Sequence, residues 1–151
     1  MSLEDRILDD MKSAMKAGRK TELATIRMVR AQLKDARISK GADLNEEDVL
    51  AVLQQGAKRR RESIDMYRKG NRPDLVEKEQ QELEIIQRYL PEQLSEDEIG
   101  QIIAQQIEKL GISGEKDIGR LMGAIMPLVK GKADGKVVQQ LARTALANLS
   151  Q

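Results

Sequence analysis

Apolar residues recur every three or four positions through most of this chain, which is the spacing of one face of an α-helix. The pattern predicts a first helix from Ser2 to about Ala17, with Gly18 as its stop. A second helix begins near Thr21 and ends at Gly41. Both stops are glycines, the residues that most readily adopt the left-handed conformation after a helix.

Two further helices are predicted in the middle of the chain. Asn45 and the acidic residues after it are typical of a helix N-terminus, and the apolar pattern then runs to Gly70. Pro73 suits the first turn of a fourth helix, because that position needs no backbone N–H. Pro91 stops this helix near Tyr89.

The last third of the chain predicts three helices. The Ser95-x-x-Glu98 capping box begins the first of them. In the second, Pro127 lacks an N–H and crowds the preceding turn, so we expect the helix to end or kink there. The segment 130–135 is then a loop, and Asp134 stands where the N-cap of the final helix belongs.

A domain boundary is predicted between Leu90 and Ser95, where a helix stop, a proline and a new capping box meet. We therefore expect an all-α fold with an N-terminal helical bundle, residues 1–94, and a C-terminal three-helix domain, residues 95–151. Aromatic residues make up only 1% of the chain, so the interior must be built from aliphatic side chains and methionine. That composition favours helix packed on helix.

The composition excludes most familiar active sites. The chain has no histidine and no cysteine, which removes Ser-His-Asp triads, Cys-His pairs and ordinary zinc sites. Glu77, Glu79, Glu82 and Glu84 offer carboxylates for acid/base chemistry or magnesium, but an exposed, solvated helix face explains them better. We expect no catalytic residues, no metal and no cofactor. With no signal-peptide pattern and no apolar run long enough to span a membrane, the expected compartment is the cytoplasm, with no membrane partner.

Charge is unevenly distributed, although the net charge is only +1. Residues 12–40 hold nine basic and two acidic residues, residues 73–98 hold two and nine, and residues 111–151 hold six and three. On the second helix Arg27, Arg30, Lys34 and Arg37 form a basic stripe that flanks the apolar face. The run Arg59 to Arg61 forms no such stripe, because consecutive helical residues point about 100° apart.

The segment Gly131-x-x-x-Gly135-Lys136-Val137 invites comparison with a phosphate-binding P-loop. It has three residues between the glycines where that motif has four, and Val137 stands where a hydroxyl would bind magnesium, so it is no nucleotide-triphosphate site. A structural turn explains both glycines. Phosphate contact by the nearby lysines remains an open alternative, because they cluster at the start of a helix.

Three segments together resemble the YqeY family. They are LMGAIMPLVKGKADGKVVQQL at 121–141, YLPEQLSEDEI at 89–99 and YRKGNRPDLVEKEQQELEII at 67–86, and the resemblance extends back to Leu23. The YqeY family in turn resembles the C-terminal helical and tail domains of the GatB subunit of the tRNA-dependent Asp/Glu amidotransferase. That enzyme is a carbon-nitrogen ligase with glutamine as amido-N-donor, and its tail approaches tRNA while catalysis lies in other parts.

The resemblance implies a non-catalytic, tRNA-interacting accessory protein related to glutamine-dependent tRNA amidotransferase, and not an enzyme by itself. It implies weak tRNA binding through five basic residues of the C-terminal domain: Arg120, Lys130, Lys132, Lys136 and Arg143. The alternative is a helical adaptor that docks onto a protein partner and binds no RNA. With two tyrosines as the only aromatic residues, recognition of RNA would go through phosphates and shape, not base stacking. The sequence does not fix the oligomeric state.

Overall fold

The computed structural model describes residues 1–149, and within them it contains seven α-helices, one short 3₁₀ turn and no strand. The predicted all-α class is thereby confirmed. The helices form two compact units, the first extending to Pro91 and the second beginning at Glu92. None of the helices in the described part is long and apolar enough to cross a membrane.

The first unit is a four-helix bundle whose ends follow the capping residues in the sequence. Its helices are α1 (Leu3–Ala17), α2 (Lys20–Lys40), α3 (Glu46–Lys69) and α4 (Pro73–Gln87). Ser2 and Asn45 each accept a hydrogen bond from a backbone N–H three residues later, so both form capping boxes. Gly18 and Gly41 end α1 and α2 with φ near +70°, the left-handed region.

An aliphatic core fills this bundle, with one tyrosine at its end. The buried residues are Ile7, Ile26, Val29, Leu33, Val49, Leu53, Ala57, Ile85, Ile86, Tyr89 and Leu90. On α1, Ala14 is fully buried while Met15, which the helical spacing also places near the apolar face, is half exposed. Because alanine is small, α1 can lie close to the helices beside it at this position. A larger side chain would push them apart.

A buried ion pair joins α3 to α4. The Arg60 Nε donates to Glu82 Oε2 at 3.2 Å, and both residues are less than a tenth exposed. Arg60 also donates to the Gly56 carbonyl oxygen at 3.1 Å and contacts the Met28 sulfur at 2.9 Å. Glu82 therefore departs from the exposed face predicted for its helix, while Glu84 beside it is exposed. The neighbouring Glu79 is partly buried, and this desolvation, together with the charge of Glu82, raises the pKa of the Glu79 carboxyl.

The end of α4 is tied to α1 and α2 by a polar network. The Tyr89 hydroxyl donates to Asp10 Oδ2 at 2.5 Å, and the Arg6 guanidinium lies 5.0 Å from the centre of the tyrosine ring. Burial and this hydrogen bond raise the pKa of the Tyr89 phenol. Arg88 donates to Glu22 at 2.8 Å, and hydrogen bonds outweigh the opposing effect of burial to lower the pKa of the Glu22 carboxyl.

The second unit packs three helices around a separate aliphatic core. Its elements are α5 (Glu96–Leu110), a 3₁₀ turn (Glu115–Asp117), α6 (Ile118–Val129) and α7 (Gly135–Leu149). The buried residues are Ile99, Ile103, Ile112, Leu121, Ile125, Val129, Val138, Ala142 and Leu146. Each helix contacts the other two, so α5, α6 and α7 enclose one core.

Helix α6 continues past its proline. It includes Pro127 and ends at Val129, so of the two predicted alternatives, an end or a kink, the helix does not end at the proline. Pro127 is exposed, whereas Val129 is fully buried in the core of the second unit. The proline removes one backbone hydrogen bond on the solvent side of the helix, and burial of Val129 favours the extra residues.

The contacts at the start of the second unit begin before the predicted boundary at 94/95. The Leu94 N–H donates to the Lys132 carbonyl oxygen at 2.9 Å, and its side chain packs against the second core. The Gln93 side-chain amide donates to the Gly131 carbonyl oxygen at 3.1 Å. Independent folding of 1–94 and 95–151 stays a prediction, and a fragment that comprises the second unit should retain residues 92–94.

The buried ion pair generates a stability prediction. Glu82→Gln leaves the Arg60 guanidinium buried without a compensating charge, and breaking such a pair costs on the order of 3 kcal/mol. Urea unfolding should therefore show a much lower midpoint for Glu82→Gln than for the parent. Glu84→Gln is the matched control, since it makes the same change on the exposed side of α4 and should leave the midpoint nearly unchanged. Equal midpoints for the two variants would contradict the role assigned to the pair.

The contacts of Gln93 and Leu94 generate a second prediction. A fragment of residues 92–151 should be helical and unfold at higher temperature than a fragment of residues 95–151. The longer fragment keeps two hydrogen bonds and part of one leucine side chain that the shorter fragment lacks. These contacts should add about 1–2 kcal/mol to its free energy of unfolding. Circular dichroism during thermal unfolding, with both fragments acetylated, measures the difference. Identical melting curves would show that these contacts add nothing to the stability of the second unit.

Candidate functional site

The turn between α6 and α7 places three lysines close together. After the buried Val129, Gly131 adopts φ of +78°, which confirms that this glycine serves a turn. The Lys132 N–H then donates to the Val129 carbonyl oxygen at 2.8 Å and closes the turn. Gly135 needs no positive φ, and α7 begins there.

The backbone of this turn is held from one side by residues that precede α5. The Leu94 N–H and the Gln93 side-chain amide donate to the carbonyl oxygens of Lys132 and Gly131, respectively. Ala133 is partly buried against the second core. The turn is therefore fixed through its main chain, and its lysine side chains are not required for its structure.

Asp134 caps α7 as its position in the sequence predicts. Its carboxylate Oδ1 accepts a hydrogen bond from the Lys136 N–H at 3.0 Å, and its carbonyl oxygen accepts from the Val138 N–H at 3.1 Å. An N–H group that an anion would otherwise bind at this helix end is thus already occupied. The lysine ammonium groups are therefore better candidates for phosphate contact than the Lys136 N–H.

Lys130, Lys132 and Lys136, called here the loop lysines, are all exposed. None of their ammonium groups pairs with a carboxylate among residues 1–149. Lysine side chains carry a compact charge on a flexible stem, so they can follow a phosphate backbone without a fixed geometry. The structure brings these three predicted residues together on one short segment.

Arg143 lies on the same outward side of α7 as Lys136. Seven residues separate them, which is two turns, or about 10 Å along the helix axis. Arg143 is exposed and, with Glu115 and Ile118, borders a shallow depression of about 470 Å³. It extends the positive surface of the loop lysines along α7.

Arg120 has a different local role. Its guanidinium Nη2 donates to the Leu110 carbonyl oxygen at 3.0 Å, at the end of α5. This bond satisfies a carbonyl group that the helix leaves without a partner and places a positive charge at the negative end of the helix dipole. Arg120 is exposed, so it can still contribute charge, but it is the predicted residue least available for a ligand.

The charge of this region is strongly one-sided. From Gly119 to the end of the chain there are five basic residues and one acidic residue, Asp134. That acidic residue is engaged as the cap of α7. The second unit as a whole, residues 92–151, holds seven basic and eight acidic residues, so the positive excess is confined to this stretch and only its local surface suits a polyanion.

The carboxylates considered for metal binding do not come together in the part of the chain that the structure describes. Residues 1–149 contain no cluster of three or more acidic side chains positioned to hold a metal ion. Of the glutamates considered for acid/base chemistry, Glu82 is committed to Arg60. The run Arg59 to Arg61 diverges as predicted, with Arg60 buried and Arg59 exposed.

Comparison with known proteins gives one consistent result. The sequence model of the family described as Yqey-like protein matches residues 4–146. The chain is 32% identical over 130 residues to "Altered inheritance of mitochondria protein 41, mitochondrial" of Pyrenophora tritici-repentis, covering 85% of this chain and 71% of that protein. It is 31% identical over 93 residues to an uncharacterized protein of Schizosaccharomyces pombe, covering 62% and 72%. A Saccharomyces cerevisiae protein with the same name as the first is 28% identical, covering 86% and 62%.

Asp134 can stabilise α7 through its hydrogen bond or through its negative charge, and two variants distinguish these effects. Asp134→Ala removes the side-chain acceptor and should lower the free energy of unfolding by about 0.5–2 kcal/mol. Asp134→Asn retains an acceptor oxygen and should leave stability close to that of the parent, although it removes the same charge. Chemical denaturation of both variants makes the comparison. If the asparagine variant loses as much stability as the alanine variant, the contribution comes from the charge and not from the hydrogen bond.

Proposed function

Since this chain belongs to the YqeY family, with nearly its whole length matched, we propose that it is a non-catalytic accessory protein that binds tRNA weakly through its second unit. The binding surface consists of the loop lysines and Arg143, with Arg120 at its margin. The contacts are made to phosphates and are insensitive to base sequence. The protein acts in the cytoplasm, alongside the machinery that amidates aminoacyl-tRNA.

One observation carries this proposal: the loop lysines are exposed, have no ion-pair partner among residues 1–149, and lie on or directly after a turn whose main chain is held in place by other residues. A rigid backbone presents the charges, and flexible side chains adapt to the ligand. The main-chain hydrogen bonds of the turn do not depend on the ammonium groups. Removing the charges should therefore change binding without changing the fold.

The scarcity of aromatic residues supports a phosphate-directed mode. Tyr89 is buried and hydrogen-bonded to Asp10, and Tyr67 is only partly exposed. Neither offers an open ring on which unpaired bases could stack, as readers of single-stranded RNA require. A folded RNA with closely spaced phosphates is the ligand that suits a surface of mobile cations.

The link to amidation rests on the resemblance of the chain to the tail of the amidotransferase component GatB. The names of the fungal relatives refer to mitochondria and mitochondrial inheritance and give no ligand. A chain without histidine or cysteine, and without a cluster of acidic side chains for a metal in its described part, suits a binding role better than an independent catalytic one. Its compartment in the cell remains part of the proposal.

The proposal predicts how tRNA affinity depends on salt. Each neutralised phosphate contributes about 0.7–0.9 to the slope of log affinity against log salt, so three or four contacts give a slope near 3. Replacing all three loop lysines by glutamine should lower the slope by about 2–3 and weaken binding at low salt. Fluorescence anisotropy with labelled tRNA over a series of salt concentrations measures both quantities.

A matched control distinguishes a local surface from net charge. Replacing Arg59, Lys69 and Lys78 by glutamine removes the same charge from exposed positions of the first unit and should leave the slope nearly unchanged. Circular dichroism should show that both variants remain folded. If the control variant lowers the salt slope as much as the loop-lysine variant does, the assigned surface is rejected. Absence of tRNA binding by the parent would favour the protein adaptor.

A further inference from the structure

A second positive surface lies in the first unit, in the groove between α1 and α2. The groove encloses about 430 Å³, and one wall carries the basic stripe of α2: Arg27, Arg30, Lys34 and Arg37. Glu4 and Asp5 of α1 line the groove as well. The basic stripe of α2 therefore lines an open groove between two helices.

The four cations follow one line along α2. They are separated by three, four and three residues, so they span about 15 Å at 1.5 Å per residue. Neighbouring charges are therefore about 4.5–6 Å apart along the axis. A row of regularly spaced negative charges on a polymer backbone can contact several of them at once.

The cations of the stripe are not equally engaged. Arg37 donates to both carboxylate oxygens of Glu4, at 2.6 and 2.9 Å, and lies 3.7 Å from Asp43. Arg30 contacts the Met11 sulfur at 3.4 Å. Arg27 and Lys34 are exposed and have no ion-pair partner among residues 1–149. One end of the stripe is neutralised within the protein, and the rest is available to a ligand.

The groove offers little apolar surface to a protein helix. Ile7 and Leu33 line it, but they are only 1% and 3% exposed because they belong to the core. Among the other lining residues, Leu8 is partly buried and Ala31 is small. An amphipathic helix binds by burying large side chains against apolar surface, and this groove exposes little of it.

We propose that the α1–α2 groove is a second contact surface for the phosphate backbone of structured RNA, used in addition to the loop lysines. The inference rests on the proposed function, because it assigns the same ligand to a second site. Arg27 and Lys34 make the contacts, with Arg30 between them, while Arg37 stays paired with Glu4. Binding through this groove is electrostatic, falls with salt and does not depend on base identity.

The test uses the full chain and tRNA as the probe. Two further phosphate contacts in the groove raise the expected slope of the parent from near 3 to about 4–5, and Arg27→Gln together with Lys34→Gln should lower it by about 1.4–1.8. Lys69→Gln together with Lys78→Gln is the matched control, because it removes two exposed charges of the same unit outside the groove. The control should keep the slope of the parent. Circular dichroism confirms that each variant is folded.

The variant without the loop lysines, measured beside these, separates the two proposals. If that variant weakens binding and the groove variant matches its control, the groove inference is rejected and the proposed function stands. If only the groove variant weakens binding, the groove is supported and the loop lysines are rejected as the surface. A parent that binds a polyglutamate peptide through Arg27 and Lys34, but not tRNA, would overturn both assignments to RNA.

Discussion

The hydrogen bond by which Asp134 caps α7 is the interaction on which the candidate site depends. It fixes the start of α7, while the left-handed Gly131 and the hydrogen bonds from Gln93 and Leu94 set the path of the turn that carries Lys130 and Lys132. Asp134 is the one acidic residue among positions 119–151, and the cap holds its carboxylate at the N-terminal end of α7. There its negative charge interacts favourably with the helix dipole. One local interaction therefore stabilises the fold and leaves the surrounding lysines without a partner from the same stretch.

The two units balance their charges differently. In the first unit, several arginines are used internally: Arg60 in the core, Arg37 across the α1–α2 groove and Arg88 at the end of α4. In the basic stretch 12–40, three of the nine basic residues, Arg19, Arg37 and Lys40, pair with carboxylates without any ligand. In the turn before α7 no such pair forms with a carboxylate of residues 1–149. A count of charges along the chain cannot distinguish the two cases, because it does not show which cations meet a carboxylate.

The fold was largely predictable from the sequence because the residues that begin and end its helices act locally. The cap at Asn45, the capping box at Ser95 and the glycine stops at Gly18 and Gly41 act through neighbouring backbone groups, and each lies where the pattern predicts. Ser2, predicted as the first residue of its helix, is the N-cap instead. The misjudged positions depend on distant partners. Helix α6 passes Pro127 because Val129 is buried by other helices, and Glu82 turns inward because Arg60 approaches from α3. Likewise, no local signal shows that Gln93 and Leu94 hold the turn or that Arg120 bonds to the end of α5.

The aliphatic interior also limits how the protein can recognise another molecule. Both cores are built almost entirely from leucine, isoleucine, valine and alanine, and the surface offers cations but no exposed aromatic platform. Contacts made by mobile lysines and arginines to phosphates are weak at physiological salt, with dissociation constants of about 10⁻⁴–10⁻⁶ M for non-specific binding. Such contacts gain most when the RNA is already held nearby, because a second binding event then occurs at high effective concentration. If the proposed RNA binding holds, two modest positive surfaces on one small chain are better suited to assisting a partner that selects the RNA than to selecting it themselves.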